Sequence, residues 1–193
     1  MLLRPDAQMP RSLKPWKRVS VTENSASSAE QARRRELAEQ APIRPRSVAC
    51  RTSLDGKDVW FLCGTIGSEF DQWQRRLAVT SAADALFSQQ IGLAAVEKVM
   101  DELGARLRKE VESEGRRLLP RWSPGYGDRP LSMSREILER LDAPRKIGVS
   151  LTESNLLVPS KSVTAVCEIA GGRKTKDERL QVFCLSSDVL PQV

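Results

Sequence analysis

The chain of 193 residues contains no histidine, a single tyrosine and only four cysteines. The cysteines, at positions 50, 63, 167 and 184, form no Cys-x-x-Cys pair, so we expect no zinc or iron site built by this chain alone. Because histidine is the commonest general base, its absence also excludes the usual serine or cysteine triad. We therefore predict no metal site and no catalytic residue in the chain, and expect any chemistry to come from a ligand, a cofactor or a partner.

Long apolar runs are missing as well. No segment approaches the roughly 20 apolar residues that a membrane-spanning helix needs. The first residues, MLLRPDAQMP, lack the apolar centre of a secretory signal. We therefore expect a cytoplasmic protein without a membrane partner.

The net charge of +6 is confined to the start of the chain. Residues 1–51 carry 11 Lys and Arg against 5 Asp and Glu, whereas the remaining residues carry 20 of each. A nucleic-acid-binding domain should be basic on its folded face and should offer aromatic side chains for base stacking. The distribution instead favours a basic, loosely structured N-terminal arm, and we expect no nucleic-acid partner.

Within this arm, predicted for residues 1–45, the segment SSAEQARRRELAEQAP is typical of a short helix. Ser27 and Glu30 have the spacing of a capping box, and Pro42 should end the helix. The apolar face is thin, mostly alanine with Leu37, which predicts weak packing or packing only against a partner. We expect the arm to be dispensable for the fold.

Residues 46–193 are predicted to form a single α+β domain with an antiparallel sheet. The Asp55-Gly56 pair separates two strand-like segments, SVAC and DVWFLC, as in a hairpin. A long helix is predicted over about 80–113, because apolar residues recur there every three or four positions. These residues are Val96, Met100, Leu103, Leu107 and Val111. Gly92 and Gly104 interrupt the helix and favour the close approach of another backbone or a ligand.

The second half of the domain is predicted to return to strands. SMSREILERLDAP is typical of a short amphipathic helix closed by Pro144. IGVSL (147–151) and KSVTAVCEI (161–169) are strand-like, and a further strand is predicted around LQVFCL near the end of the chain. In KSVTAVCEI the period of two puts four apolar residues on one face: Val163, Ala165, Cys167 and Ile169.

The stretch RWSPGYGDRPLS, residues 121–132, combines an arginine, a tight turn and the only tyrosine. Pro124-Gly125 suits the central positions of a type II turn, where glycine accepts a positive φ. The guanidinium of Arg121 matches a carboxylate, and Tyr126 can stack on a planar ring or attract a cation. The pattern fits a zwitterionic ligand that carries a ring; a surface turn with an ordinary salt bridge would look the same.

These residues resemble a known family. The pattern Arg-x-x-x-Gly-Tyr, here Arg121 to Tyr126, is similar to the S-adenosylmethionine-binding signature of the activation domain of cobalamin-dependent methionine synthase. Two further segments agree with that family in order and spacing, AVEKVMDEL in the long helix and IGVSLTESNLLVPSKSVTA after the turn. The resemblance covers about residues 57–170.

The resemblance implies S-adenosylmethionine as the ligand and a set of contacts to it. Arg121 would hold the methionine carboxylate, whereas Ser123, Gly125 and Tyr126 would hold the adenosine part, partly through the backbone. Glu97 falls where the family has a ligand-contacting glutamate. On the residues alone, Glu97 lies at the shoulder of the apolar stripe, and two readings are open. Its carboxylate either complements an ammonium or sulfonium group, or it is solvated on the flank of the helix.

The segment Thr152-Glu153-Ser154 also falls within the resemblance. Its side chains either line the site or satisfy the backbone at the end of a strand, and the second reading is favoured.

The resemblance further implies a function, the reductive methylation, or reactivation, of cob(II)alamin. The cobalamin would be carried by a partner, either a cobalamin-dependent methionine synthase or another corrinoid protein, and an electron donor such as flavodoxin would be needed. The alternative is a non-catalytic S-adenosylmethionine-binding or scaffold module of the same pathway.

Overall fold

A computed structural model describes residues 27–171, in which helices pack on both faces of a four-stranded antiparallel sheet. The order across the sheet is β1 (Arg46–Leu54), β2 (Lys57–Thr65), β6 (Ser162–Ala170) and β3 (Arg117–Leu118). A separate two-stranded sheet pairs β4 (Ser150–Leu151) with β5 (Leu157–Val158). The predicted α+β class with an antiparallel sheet is confirmed.

The β1–β2 hairpin forms where the sequence predicts it. Leu54 pairs with Lys57, so Asp55 and Gly56 alone close the turn. Their φ angles of 51° and 73° are the two left-handed conformations that a type I′ turn requires. Aspartate and glycine are among the residues that adopt this conformation most readily.

Five helices are present between residues 27 and 171. They are α1 (Ser28–Gln40), α2 (Ser68–Thr80), α3 (Ala82–Ser113), α4 (Met133–Leu141) and α5 (Ala143–Ile147). The long predicted helix is α3, with 32 residues. Its apolar stripe is buried throughout, at Val96, Met100, Leu103, Leu107 and Val111. The last four residues pack against one face of the sheet, whereas Val96 packs with Ile66 and with Phe70 of α2.

The opposite face of the sheet is covered by α4 and α5. Alternation along β6 divides its side chains between the two faces, as the period of two predicts. Ala165, Cys167 and Ile169 pack beneath α3, whereas Val166 packs with Ile137 and Leu141 of α4. The central strands are therefore buried from both sides.

Three local predictions differ from the structure. Pro144 does not close α4, because the chain turns at Asp142, which has a φ of 52°, and Pro144 lies in the first turn of α5, where a missing N–H is tolerated. Helix α2 was not predicted, and only two residues of IGVSL form a strand. The predicted strand at LQVFCL lies outside the described residues.

Helix α1 packs more closely than its thin apolar face predicts. The capping box between Ser27 and Glu30 is confirmed, and Leu37 is fully buried. Two further contacts join α1 to α3, one polar and one aromatic. Arg33 donates two hydrogen bonds to Asp84, at 3.1 and 2.7 Å, and the Arg34 guanidinium lies 4.7 Å from the centre of the Phe87 ring. A count of apolar residues does not detect such contacts.

Leu37→Ala should lower the free energy of unfolding by about 2–5 kcal/mol, because it removes a fully buried side chain from the contact between α1 and the body. Chemical denaturation measures this change. Leu86→Ala is the control, since Leu86 is 60% exposed and its truncation should cost less than about 0.5 kcal/mol. Equal effects of the two substitutions would mean that α1 is not part of the folded body.

The two glycines within α3 have different surroundings. A Cβ at Gly92 would lie 2.6 Å from Phe70 Cε1 and 2.8 Å from Lys161 Cε, so two side chains approach the helix closely there. At Gly104 a Cβ would meet nothing within 4 Å. The close neighbours of Gly92 are therefore side chains and not the expected backbone, and no other protein atom of residues 27–171 comes close to Gly104. The approach of a ligand to either glycine stays a prediction.

Substituting alanine at these two positions should have opposite effects. Gly104→Ala should stabilise the protein by about 0.5–1 kcal/mol, because alanine is the better helix former and has room. Gly92→Ala should destabilise it by about 1–3 kcal/mol, because the fully buried Phe70 cannot move aside. Thermal unfolding of both variants tests the packing, and a stabilising Gly92→Ala would contradict it.

Candidate functional site

The stretch that carries Arg121 is attached to the sheet through Trp122. The N–H of Trp122 donates to the carbonyl of Val166 at 3.0 Å, and the N–H of Val166 donates to the carbonyl of Trp122 at 2.8 Å. Trp122 thus extends the sheet beside β6 and packs with Val166 on the α4 side. Because side chains alternate along an extended segment, Arg121 faces the opposite side, where it contacts α3.

The chain then turns sharply at Pro124 and Gly125. The positive φ predicted for Gly125 is confirmed, at 87°, and its N–H donates to the carbonyl of Arg129 at 2.9 Å. A Cβ at Gly125 would lie 3.2 Å from Cδ1 of Leu131. Both the backbone angle and the limited space therefore favour glycine at this position.

Arg121 and Glu97, which are 24 residues apart, are in contact. The Nη2 of Arg121 donates to Oε2 of Glu97 at 2.5 Å, and its Nη1 donates to Oδ1 of Asp101 at 2.6 Å. Glu97 and Asp101 lie four residues apart on α3, so they project from the same side of the helix. One guanidinium therefore bridges two carboxylates on successive turns of α3.

The exposure of the three side chains increases outward from the sheet. Arg121 is 24% exposed, Glu97 43% and Asp101 71%. Burial disfavours the charge on Arg121, but the hydrogen bond to Asp101 and the negative charge of Glu97 outweigh it, so the pKa of Arg121 is raised above its usual value. The cluster combines the permanent positive charge of Arg121 with two carboxylates, so its net charge is −1 when both carboxylates are ionised.

Three of the four cysteines, Cys50, Cys63 and Cys167, are buried. Burial raises the pKa of the Cys167 thiol to about 11, although the positive charges of Arg121 and Arg108 act to lower it. Burial likewise raises the pKa of Cys63. Both thiols are protonated near neutral pH and are poor nucleophiles.

The turn offers two further groups beside the charged cluster. Tyr126 is 67% exposed and Ser123 is half-buried, and within residues 27–171 neither hydroxyl has a hydrogen-bond partner. The Arg129 guanidinium covers the Trp122 ring at 3.5 Å from its centre, which leaves the Tyr126 ring as the exposed aromatic face of the turn.

The five predicted site residues thus form two groups. Glu97 and Arg121 are in direct contact, and Ser123, Gly125 and Tyr126 lie on the turn that follows Arg121. No hydrogen bond joins Tyr126 to either charged residue in the described part of the chain. Their roles toward a ligand stay predictions.

Thr152 has a structural role at the β4–β5 turn. Its Oγ1 accepts the N–H of Leu156 at 3.0 Å and lies 2.9 Å from Oγ of Ser154. Its N–H donates to the Leu156 carbonyl at 2.9 Å. The favoured reading, in which this segment satisfies its own backbone, agrees with these contacts.

Asp101 was not predicted as part of the site. The only sequence signal for it is its position four residues after Glu97, which places both carboxylates on one side of a helix. Exposed acidic residues are common on helix surfaces, so this spacing alone does not distinguish Asp101 from a solvated side chain.

Within residues 27–171, no group of three or more His, Cys, Asp or Glu side chains is arranged to hold a metal ion. In the same range no helix is long and apolar enough to cross a membrane.

Comparisons by sequence and by structure give different results. No family model matches the sequence, and no curated protein matches it. By structure, the chain is similar to the crystal structure of the MetH reactivation domain bound to AdoHcy, with a TM-score of 0.56 and 16% sequence identity. The match covers 76% of this chain and 67% of that chain. At this level of identity the likeness shows a shared fold, that of an activation-type domain.

Proposed function

We propose that this protein binds S-adenosylmethionine at Arg121, Glu97 and the turn through Tyr126. We further propose that it supports reductive methylation of cob(II)alamin on a cobalamin-dependent methionine synthase or another corrinoid protein. The observation that carries the proposal is the contact between Arg121 and Glu97, at 2.5 Å. It joins a turn and a helix that resemble separate motifs of one family.

The charges of this pair complement the amino-acid end of the ligand. That end carries a carboxylate and an ammonium on one carbon atom, so it needs a cation and an anion placed side by side. Arg121 supplies a guanidinium that can hold a carboxylate through two parallel hydrogen bonds. Glu97 supplies a carboxylate for the ammonium, and both groups reach the surface at the edge of α3.

The rest of the turn suits the adenosine end. The Tyr126 ring is exposed and can stack on a planar base. The Ser123 hydroxyl has no partner among residues 27–171, so it can bond to a ribose or base atom. The absence of a side chain at Gly125 lets a ligand approach the backbone of the turn.

The shared fold supports the same ligand class. AdoHcy, which is bound to the MetH reactivation domain, differs from S-adenosylmethionine by one methyl group and its positive charge. Both molecules carry the same carboxylate, ammonium and adenosine. A site for one is therefore suited to the other.

The reaction requires groups that the chain itself does not carry. S-adenosylmethionine supplies the methyl group, and the partner's cobalamin receives it together with one electron from a low-potential donor such as flavodoxin, which leaves AdoHcy as the second product. The residues of this chain bind and orient the methyl donor. Such a role needs positioning rather than proton transfer, which agrees with a sequence that has no histidine.

Arg121→Ala should weaken S-adenosylmethionine binding by about 2 kcal/mol or more, roughly 30-fold, because a charged hydrogen-bonded pair with the carboxylate is lost. Arg121→Lys should restore only part of the affinity, since an ammonium cannot form the forked pair. Isothermal titration calorimetry measures both. Arg108→Ala is the control, because it removes the same charge from an exposed position on α3. Equal affinities for wild type and Arg121→Ala would remove Arg121 from the site.

Methyl transfer should depend on the partner. The protein with S-adenosylmethionine alone should transfer no methyl group, whereas a cob(II)alamin-loaded partner and a low-potential reductant should give methylcobalamin, visible in the corrin absorption spectrum. Glu97→Gln and Tyr126→Ala should each slow this step without unfolding the protein. The rate should change little between about pH 6 and 8, because the chain has no histidine to titrate.

Two outcomes of this assay would argue against the proposal. Ligand binding without methyl transfer would favour the non-catalytic binding or scaffold module. A bell-shaped pH profile centred in that window, with a partner that has no titrating group there, would mean that a proton-transfer step had been overlooked.

A further inference from the structure

In the described structure, both terminal nitrogens of Arg121 are occupied by carboxylates of the same chain. Nη1 donates to Asp101 at 2.6 Å and Nη2 donates to Glu97 at 2.5 Å. A carboxylate held in the forked manner needs two parallel N–H donors of the guanidinium. A ligand carboxylate that takes the N–H groups donated to Asp101 and Glu97 must therefore displace at least one of these partners.

The two partners differ in how easily they can leave. Asp101 is 71% exposed, whereas Glu97 is 43% exposed. The hydrogen bond from Arg121 is the only one in which the Asp101 side chain takes part within residues 27–171. An exposed carboxylate returns to water at little cost, and an exposed ion pair changes an equilibrium constant by a factor of only about 1.4 to 5. Asp101 is the partner that a ligand can replace.

We propose that Asp101 is a positioning residue that competes with the ligand's carboxylate for Nη1 of Arg121. It holds the guanidinium of Arg121 over the side of α3, next to Glu97, and leaves Nη1 when the carboxylate of the ligand arrives. This inference rests on the proposed function, because it assigns Arg121 to a ligand carboxylate. In this role Asp101 competes with the ligand's carboxylate and lowers the affinity of the site for the ligand.

The raised pKa of Arg121 agrees with this arrangement. Burial acts against the charge, and the carboxylates of Asp101 and Glu97 compensate for it. An incoming carboxylate would provide the same compensation in place of Asp101, so the guanidinium stays paired before and after binding. With Asp101 removed, Glu97 still fixes the guanidinium, and the position at Nη1 is open.

Asp101→Asn should raise the affinity for S-adenosylhomocysteine by a factor of about 1.4 to 5, since a competing surface ion pair is removed. Calorimetric titration of the full chain with S-adenosylhomocysteine measures this factor. Glu102→Gln is the matched control, because it removes the same charge one residue further along α3, from a side chain that is not a partner of Arg121. This control should bind with wild-type affinity.

A second ligand separates competition from a general effect of charge. The methyl ester of S-adenosylhomocysteine keeps the adenosine and the ammonium but has no carboxylate to compete with Asp101. Its affinity should not rise in Asp101→Asn, whereas the affinity for the free acid should.

An unchanged or lower affinity of Asp101→Asn for S-adenosylhomocysteine would overturn the inference, as would equal increases for the acid and the ester. Failure of the wild-type protein to bind S-adenosylhomocysteine at all would overturn the proposed function, and the inference with it. The wild-type titration therefore distinguishes the two failures.

Discussion

The two backbone hydrogen bonds between Trp122 and Val166 decide which side of the sheet Arg121 faces. They hold the chain beside β6 so that the Arg121 side chain, next to Trp122, points toward α3. A shift of this pairing by one residue would move Arg121 to the α4 side, away from its carboxylate partners. The position of the cationic group of the site therefore depends on sheet register.

Helix α3 positions the two carboxylates of the site. Its buried stripe fixes the rotation of the helix on the sheet, and that rotation places Glu97 and Asp101 along the exposed edge of the stripe. Arg121 bridges the two carboxylates from the sheet side. The backbone pairing of Trp122 with Val166 and the apolar packing of α3 thus determine the arrangement of charges that we assign to the ligand.

Under the proposed function, the protein orients S-adenosylmethionine without reacting itself. The described thiols with shifted pKa values are buried and protonated, and the chain has no histidine. The groups at the surface of the site are a guanidinium, carboxylates, hydroxyls and a phenol ring. They complement the charges and the ring of S-adenosylmethionine.

The features that could be predicted from the sequence are determined by residues close to one another in the chain. The Asp55-Gly56 turn, the stripe on α3 and the alternation along β6 are repeating patterns that the structure keeps. The packing of α1 was underestimated because it depends on an ion pair and a cation–π contact with residues about fifty positions away. At the site, the resemblance implies that Arg121 and Glu97 contact one ligand, but it predicts neither their direct contact nor the part of Asp101, because these contacts join distant segments of the chain.

The most direct test of the account is a crystal structure of this protein with AdoHcy. The account predicts the ligand's carboxylate within hydrogen-bond distance of the Arg121 guanidinium, its ammonium beside Glu97 and its adenine against the turn at Tyr126. A ligand bound elsewhere, or a structure in which Arg121 contacts only Glu97 and Asp101 while the ligand lies away from them, would contradict it.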